Sequence, residues 1–158
     1  MELVKARHRI LTVNNPILNT SFSFLSRSNS TCEVAETSYS PGTTLHITVK
    51  TPGTSGDPLL YTYGYFSFYT PELEWYKWYW FTAHVDVLSD PRNTMAIALA
   101  PSGANANRCT GIISNGIARV KLLMTPKNAS AAIDSNKYVE FRCAGKSMNM
   151  SDIKFWAI

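Results

Sequence analysis

The sequence predicts an all-β protein, an antiparallel β-sandwich preceded by a short N-terminal arm, and three observations carry that prediction. First, Trp75-Tyr76-Lys77-Trp78-Tyr79-Trp80-Phe81 places six aromatics in seven residues and runs into the strict alternation of Thr82-Ala83-His84-Val85-Asp86-Val87-Leu88, the pattern of a long strand. Second, charged residues make up 16% of the chain against about 25% in a typical domain, while apolar residues reach 45% and Ser, Thr, Asn, Gly and Pro supply much of the rest. Third, turn chemistry recurs at short intervals: Ser40-Pro41-Gly42, Thr51-Pro52-Gly53, Gly56-Asp57-Pro58, Asp90-Pro91, Pro101-Ser102-Gly103 and Thr125-Pro126. Proline presets φ in such turns and glycine admits positive φ. With 158 residues the chain suits one domain that buries roughly 70% of its unfolded surface. It reads as an arm over residues 1–20 and a single domain over 21–158.

Between the turns lie the candidate strands Phe22 to Leu25, Thr31 to Thr37, Thr43 to Lys50, Leu60 to Tyr69, Trp75 to Leu88, Thr94 to Ala100, Ile117 to Met124, Tyr138 to Cys143 and Asp152 to Ile158. That makes eight or nine strands. Period-2 patterning assigns their faces. Leu45, Ile47 and Val49 oppose Thr44, His46 and Thr48; Val120, Leu122 and Met124 oppose Arg119, Lys121 and Leu123. In the aromatic strand Tyr79, Phe81, Ala83, Val85 and Val87 share one face, and Tyr76, Trp78, Trp80, Thr82, His84 and Asp86 share the other. So much flat aromatic surface predicts that both faces are covered. The one helical candidate, Asn128 to Asp134, is Ala-rich and only about two turns long, equally readable as a loop.

The formal net charge is +4, mildly basic and compatible with polyanion contact. Cys32, Cys109 and Cys143 are odd in number and far apart, with no Cys-x-x-Cys or Cys/His spacing, which argues against a zinc site or a disulfide framework. The expectation is reduced thiols in an intracellular protein. The opening residues lack a secretory apolar core, and no run of 18 apolar residues occurs, so the chain is expected to be soluble, made in the cytosol and without membrane contact. The sequons at Asn19, Asn29, Asn128 and Asn149 then reflect an Asn/Ser/Thr-rich chain.

Catalytic signatures are missing. The chain has no Gly-x-Ser-x-Gly elbow, phosphate-cradling glycine loop, dinucleotide fingerprint or His-Glu-x-x-His, and Gly145-Lys146-Ser147 reads as a turn. His84-Val85-Asp86 puts an imidazole and a carboxylate on one strand face, but the second histidine and glutamate of a metal-binding β-sandwich are absent. No enzyme, cofactor or metal is predicted. For polyanions there are two basic groups, Lys5, Arg7, His8 and Arg9 in the arm, and Arg119 with Lys121 on one strand face. Trp75, Tyr76, Trp78, Trp80 and the row Tyr61, Tyr63, Tyr65 are expected in the core or in an interface. Exposed rings of this kind can also stack on sugars or bases.

Taken together, Trp75-Tyr76-Lys77-Trp78, the strand Phe81 to Leu88, the loop Ser89-Asp90-Pro91-Arg92-Asn93-Thr94 and the small-residue strand Met95-Ala96-Ile97-Ala98-Leu99-Ala100 resemble the central part of the jelly-roll coat proteins of small icosahedral positive-strand RNA plant viruses and their satellite viruses. The closing strand, Asp152 to Ile158, sits where such chains end. The resemblance implies an eight-stranded antiparallel jelly-roll sandwich that self-assembles, in about sixty copies, into an icosahedral capsid around single-stranded RNA. It implies a virion protein made in the host cytoplasm, with Lys5, Arg7, Arg9, Arg119 and Lys121 toward nucleic acid and Trp75, Tyr76 and Trp78 in core or intersubunit packing. Two features depart from the family. The arm carries only three Lys or Arg side chains, and the family's interfacial calcium carboxylates have no counterpart, so no metal ligand is carried over. The alternative is a carbohydrate-binding, lectin-like β-sandwich that uses the aromatic platform.

Overall fold

The aromatic segment builds the longest strand of the protein. The computed structural model describes residues 16–18, 20–50, 63–89, 96–132 and 137–158. Its strands are β1 (Phe24–Ser26), β2 (Cys32–Val34), β3 (Leu45–Val49), β4 (Gly64–Tyr69), β5 (Trp78–Ser89), β6 (Ala96–Pro101), β7 (Cys109–Ser114), β8 (Ile117–Leu123), β9 (Tyr138–Cys143) and β10 (Ser147–Ala157). They form one antiparallel sheet of ten strands, in the order β1-β4-β9-β6-β7-β8-β5-β10-β3-β2. Among the described residues, helix is confined to a 3₁₀ turn at Asn105–Asn107 and a single turn, α1, at Ala129–Ala132. The two-turn helix considered for Asn128 to Asp134 is therefore one turn in the described residues.

The sheet curls until its two end strands meet. β1 and β2 are consecutive, and the turn between them is held by Val34 N–H donating to Arg27 O (2.7 Å) and Asn29 N–H to Cys32 O (2.9 Å). Asn29 reinforces this seam. Its side-chain oxygen accepts from Thr31 N, Thr31 Oγ1 and Cys32 N, while its amide nitrogen donates to Ser26 Oγ and across to Tyr65 O of β4. Tyr65 N–H in turn donates to Thr31 Oγ1 at 3.2 Å. One side chain thus satisfies backbone groups that a ladder would otherwise have to pair.

Strand alternation sorts the side chains as the sequence predicts. Tyr79, Phe81, Ala83 and Val85 of β5 point inward with Val120, Leu122, Phe141, Ile153 and Phe155, all buried. Phe81 lies edge-on to Phe141, with centroids 5.1 Å apart at 87°, and 5.5 Å from Phe155. Such aromatic contacts stabilise beyond their burial by about 0.5–1.5 kcal/mol each. Leu18, placed in the arm by the sequence reading, is also buried: it exchanges backbone hydrogen bonds with Phe155 of 3.2 and 3.0 Å. Cys32 and Cys143 are buried and Cys109 half-buried, all three as free thiols. Burial pushes the Cys32 thiol up to about 12.

Four elements differ from expectation, the first being β5, which begins at Trp78 instead of Trp75 because Tyr76 lies in the left-handed region at φ 64°. β7 is a strand that alternation alone did not announce, because Gly111 interrupts its apolar pattern. That glycine is required: a Cβ there would lie 1.9 Å from the backbone oxygen of Arg119 on β8. β10 begins at Ser147 instead of Asp152, with irregular pairing between Ser151 and Lys154 and Asp152 in the left-handed region at φ 52°. β2 is only three residues long, because Glu36 turns away and accepts from the backbone N–H of His46 with its carboxylate (2.6 Å).

The outside of the sheet is covered unevenly. Behind β4-β9-β6, Ala98, Ala100, Ala144, Arg142 and Lys146 are buried although they lie off the main core. Arg142 donates from Nε to Glu140 Oε1 (2.7 Å) and from Nη2 to Gly103 O (3.3 Å), and its guanidinium lies 4.4 Å from the Tyr63 ring centre. Burial pushes the Glu140 carboxyl up, against the pull of Arg142.

Candidate nucleic-acid interface

The outer face of β8-β5-β10 has a different character. Pairing registers fix its rows. Leu123 lies opposite Trp78. Lys121 lies opposite Trp80, and Trp80 opposite Trp156. Arg119 lies opposite Thr82, and Thr82 opposite Lys154. The next rows hold Ile117, His84 and Ser151, then Asp86 beside Asn149. Aromatic rings and cations therefore gather at one end of the face, and neutral and acidic groups at the other.

Several contacts orient this cluster. Trp156 Nε1–H donates to Thr82 Oγ1 at 2.8 Å, which pins the half-buried indole. Lys121 Nζ lies 5.1 Å from the Trp78 ring centre, and Lys154 Nζ 5.9 Å from that of Trp156, in cation–π range. Trp78 and Trp80 remain 46% and 41% exposed. At the start of β5, Tyr76 is 67% exposed and held at φ 64° between two backbone hydrogen bonds, Tyr76 N–H to Met124 O (2.6 Å) and Met124 N–H to Lys77 O (3.1 Å). A bulky residue in that region costs roughly 1–3 kcal/mol unless its surroundings impose it.

Within the described residues, the chain itself covers only the inner face of the aromatic strand. The partners of Trp78 and Trp80 on the outer face are lysine, leucine and another indole, and no second layer lies over them among the described residues. Trp75 does behave as core: it is half-buried and packs against the central cluster. Tyr76 and Trp78 stand outside it. Arg119 and Lys121 project to solvent from β8, as the alternation requires. Lys5, Arg7 and Arg9 lie outside the described residues, as does Tyr61. Trp156 and Lys154 were not singled out by sequence reading. Their shared parity in Lys154-Phe155-Trp156 gives them one face, but only the pairing of β10 with β5 brings that face to Trp80.

At the other end, His84 pairs with Asp152 and not with its sequence neighbour Asp86: His84 Nε2 is 3.4 Å from Asp152 Oδ2, and Lys154 Nζ is 3.1 Å from Asp152 Oδ1. These groups border a groove of about 450 Å³ lined by Thr44, Asp86, Asn115, Asn149 and Ser151. Among the described residues no cluster of three or more His, Cys, Asp or Glu side chains could hold a metal ion. The arrangement offers solvent-facing cations and flat rings, a surface chemistry of binding.

No family description, curated protein or solved structure matches this chain.

Proposed function

We propose that the protein is a viral capsid protein whose single jelly-roll domain self-assembles into a small icosahedral shell enclosing single-stranded RNA. The observation that carries the reading is the strand order. Within the sheet, β3 to β10 run β4-β9-β6-β7-β8-β5-β10-β3, so successive connections cross between the halves β4-β9-β6-β7 and β8-β5-β10-β3, except β6–β7, which stays within the first half, and the β7–β8 hairpin joins the two halves. This nesting supports an eight-stranded jelly-roll reading, two Greek keys with β1 and β2 as an added seam.

The face bearing Arg119 and Lys121 is its RNA-contacting surface, with Lys5, Arg7 and Arg9 of the arm as further contacts. A lectin-like reading draws on the same exposed indoles. The lysines held against two of the rings favour an anionic polymer over a neutral sugar. Sedimentation of the purified protein tests the shell. A particle of about one megadalton, near sixty chains, with excess nucleic-acid absorbance is expected. A protein that stays monomeric at high concentration and with added RNA overturns the reading.

A further inference from the structure

We propose that Trp80 and Trp156, flanked by Trp78, form a stacking platform for unpaired bases, with Arg119 and Lys121 taking the backbone phosphates. This rests on nucleic acid being the partner of the face and adds the mode of recognition. Charge alone would hold any polyanion, but three indoles on one solvent-facing sheet have no role in that. A base needs an accessible ring face, and each of the four bases has a π-surface to offer one. A duplex keeps its bases stacked inside and cannot present them, so ring stacking selects single strands.

The geometry favours this occupant. Trp80 and Trp156 are direct cross-strand partners, so their side chains rise side by side from adjacent strands about 4.8 Å apart. The bond from Trp156 Nε1 to Thr82 Oγ1 fixes one of them before any ligand arrives, which lowers the ordering cost of binding. Trp78 and Trp80 are two residues apart on one strand, a step of about 6.7 Å. That is twice the roughly 3.4 Å rise per nucleotide of a stacked strand, the spacing at which rings and bases can alternate. Arg119 and Lys121 sit within and beside these rows, Lys154 is neutralised by Asp152, and Asp86 at the far end repels phosphate and confines the footprint to the indole end.

The test uses the full chain and three probes at matched salt: an unstructured oligouridylate, an RNA duplex of equal charge, and inorganic polyphosphate. The oligouridylate is expected to quench tryptophan fluorescence and to bind at least tenfold tighter than the other two. Trp80→Ala should weaken oligouridylate binding roughly five- to a hundredfold, the worth of one stacked base, and leave polyphosphate affinity unchanged. Lys121→Ala should weaken all three and lower the salt slope by about one. Equal affinity for all three probes, insensitive to Trp80→Ala, overturns stacking in favour of charge alone. Loss of self-association by Trp80→Ala with unaltered RNA affinity overturns it in favour of a contact between copies of this chain. Sedimentation with added RNA separates the two proposals: a monomer that still stacks bases refutes only the shell, and a shell without quenching refutes only the platform.

Discussion

Two outer faces of the same curled sheet each set a cation against an aromatic ring, and they use it in opposite ways. Behind β4-β9-β6, Arg142 lies over Tyr63, is bound to Glu140, is 1% exposed on its side chain and has Ala98 as its cross-strand neighbour on β6. On β8-β5-β10, Lys121 lies by Trp78 and Arg119 beside Thr82, both open to water. The difference teaches that a cation–π contact has no fixed meaning. Sealed under cover and matched by a carboxylate it holds the fold together, whereas left in solvent without one it is available to a ligand.

The comparison breaks most directly at Arg142. Arg142→Ala strands the Glu140 carboxylate in a mostly buried site and should cost about 3–5 kcal/mol, read as a fall in the urea midpoint. Arg142→Met with Glu140→Gln should recover a large part of that loss, because no uncompensated charge then remains. Gly111→Ala comes next. Its methyl meets the Arg119 carbonyl, and forcing β7 from β8 should cost at least about 1–3 kcal/mol, the usual penalty of overpacking, and loosen the binding face as well.

A pH titration sharpens the contrast. The fold raises the Glu140 pKa above its unfolded value, so the native state holds that proton more tightly. Its stabilising contribution is present below the ordinary carboxylate range and is lost as pH rises through the folded value. Glu140→Gln should flatten that part of the stability profile. The smallest effects on stability belong to the open face: Arg119→Ala and Lys121→Ala should each change it by less than about 0.5 kcal/mol, measured by the same unfolding curves. A large loss from either would mean that the face is structural after all.

Much of this was legible in the chain and some was not, for physical reasons. Period-2 patterning depends only on neighbours, so the inward set of β5 and the outward projection of Arg119 and Lys121 follow from the sequence. β7 carried its own sign in Asn115-Gly116, an Asn-Gly turn at φ 52° and 75° that fits a two-residue hairpin. Strand partners are another matter. That Trp156 stands beside Trp80, or that His84 faces Asp152 and not Asp86, depends on pairing across some seventy residues, which no local pattern encodes. The burial of Arg142 is likewise hidden. Its parity places it on the outside of β9, and only the tertiary arrangement covers it.

The seam at Asn29 also gives the molecule a clock. Asn-Ser sequences deamidate slowly in water, replacing a side-chain NH₂ by an oxygen that can no longer donate. At Asn29 the lost donors are those given to Ser26 and Tyr65, and the new negative charge falls where the sheet closes on itself. Deamidation at this side chain, slower than at the exposed Asn115-Gly116 turn, is therefore expected to loosen the closure between β2 and β4 before the aromatic core is disturbed.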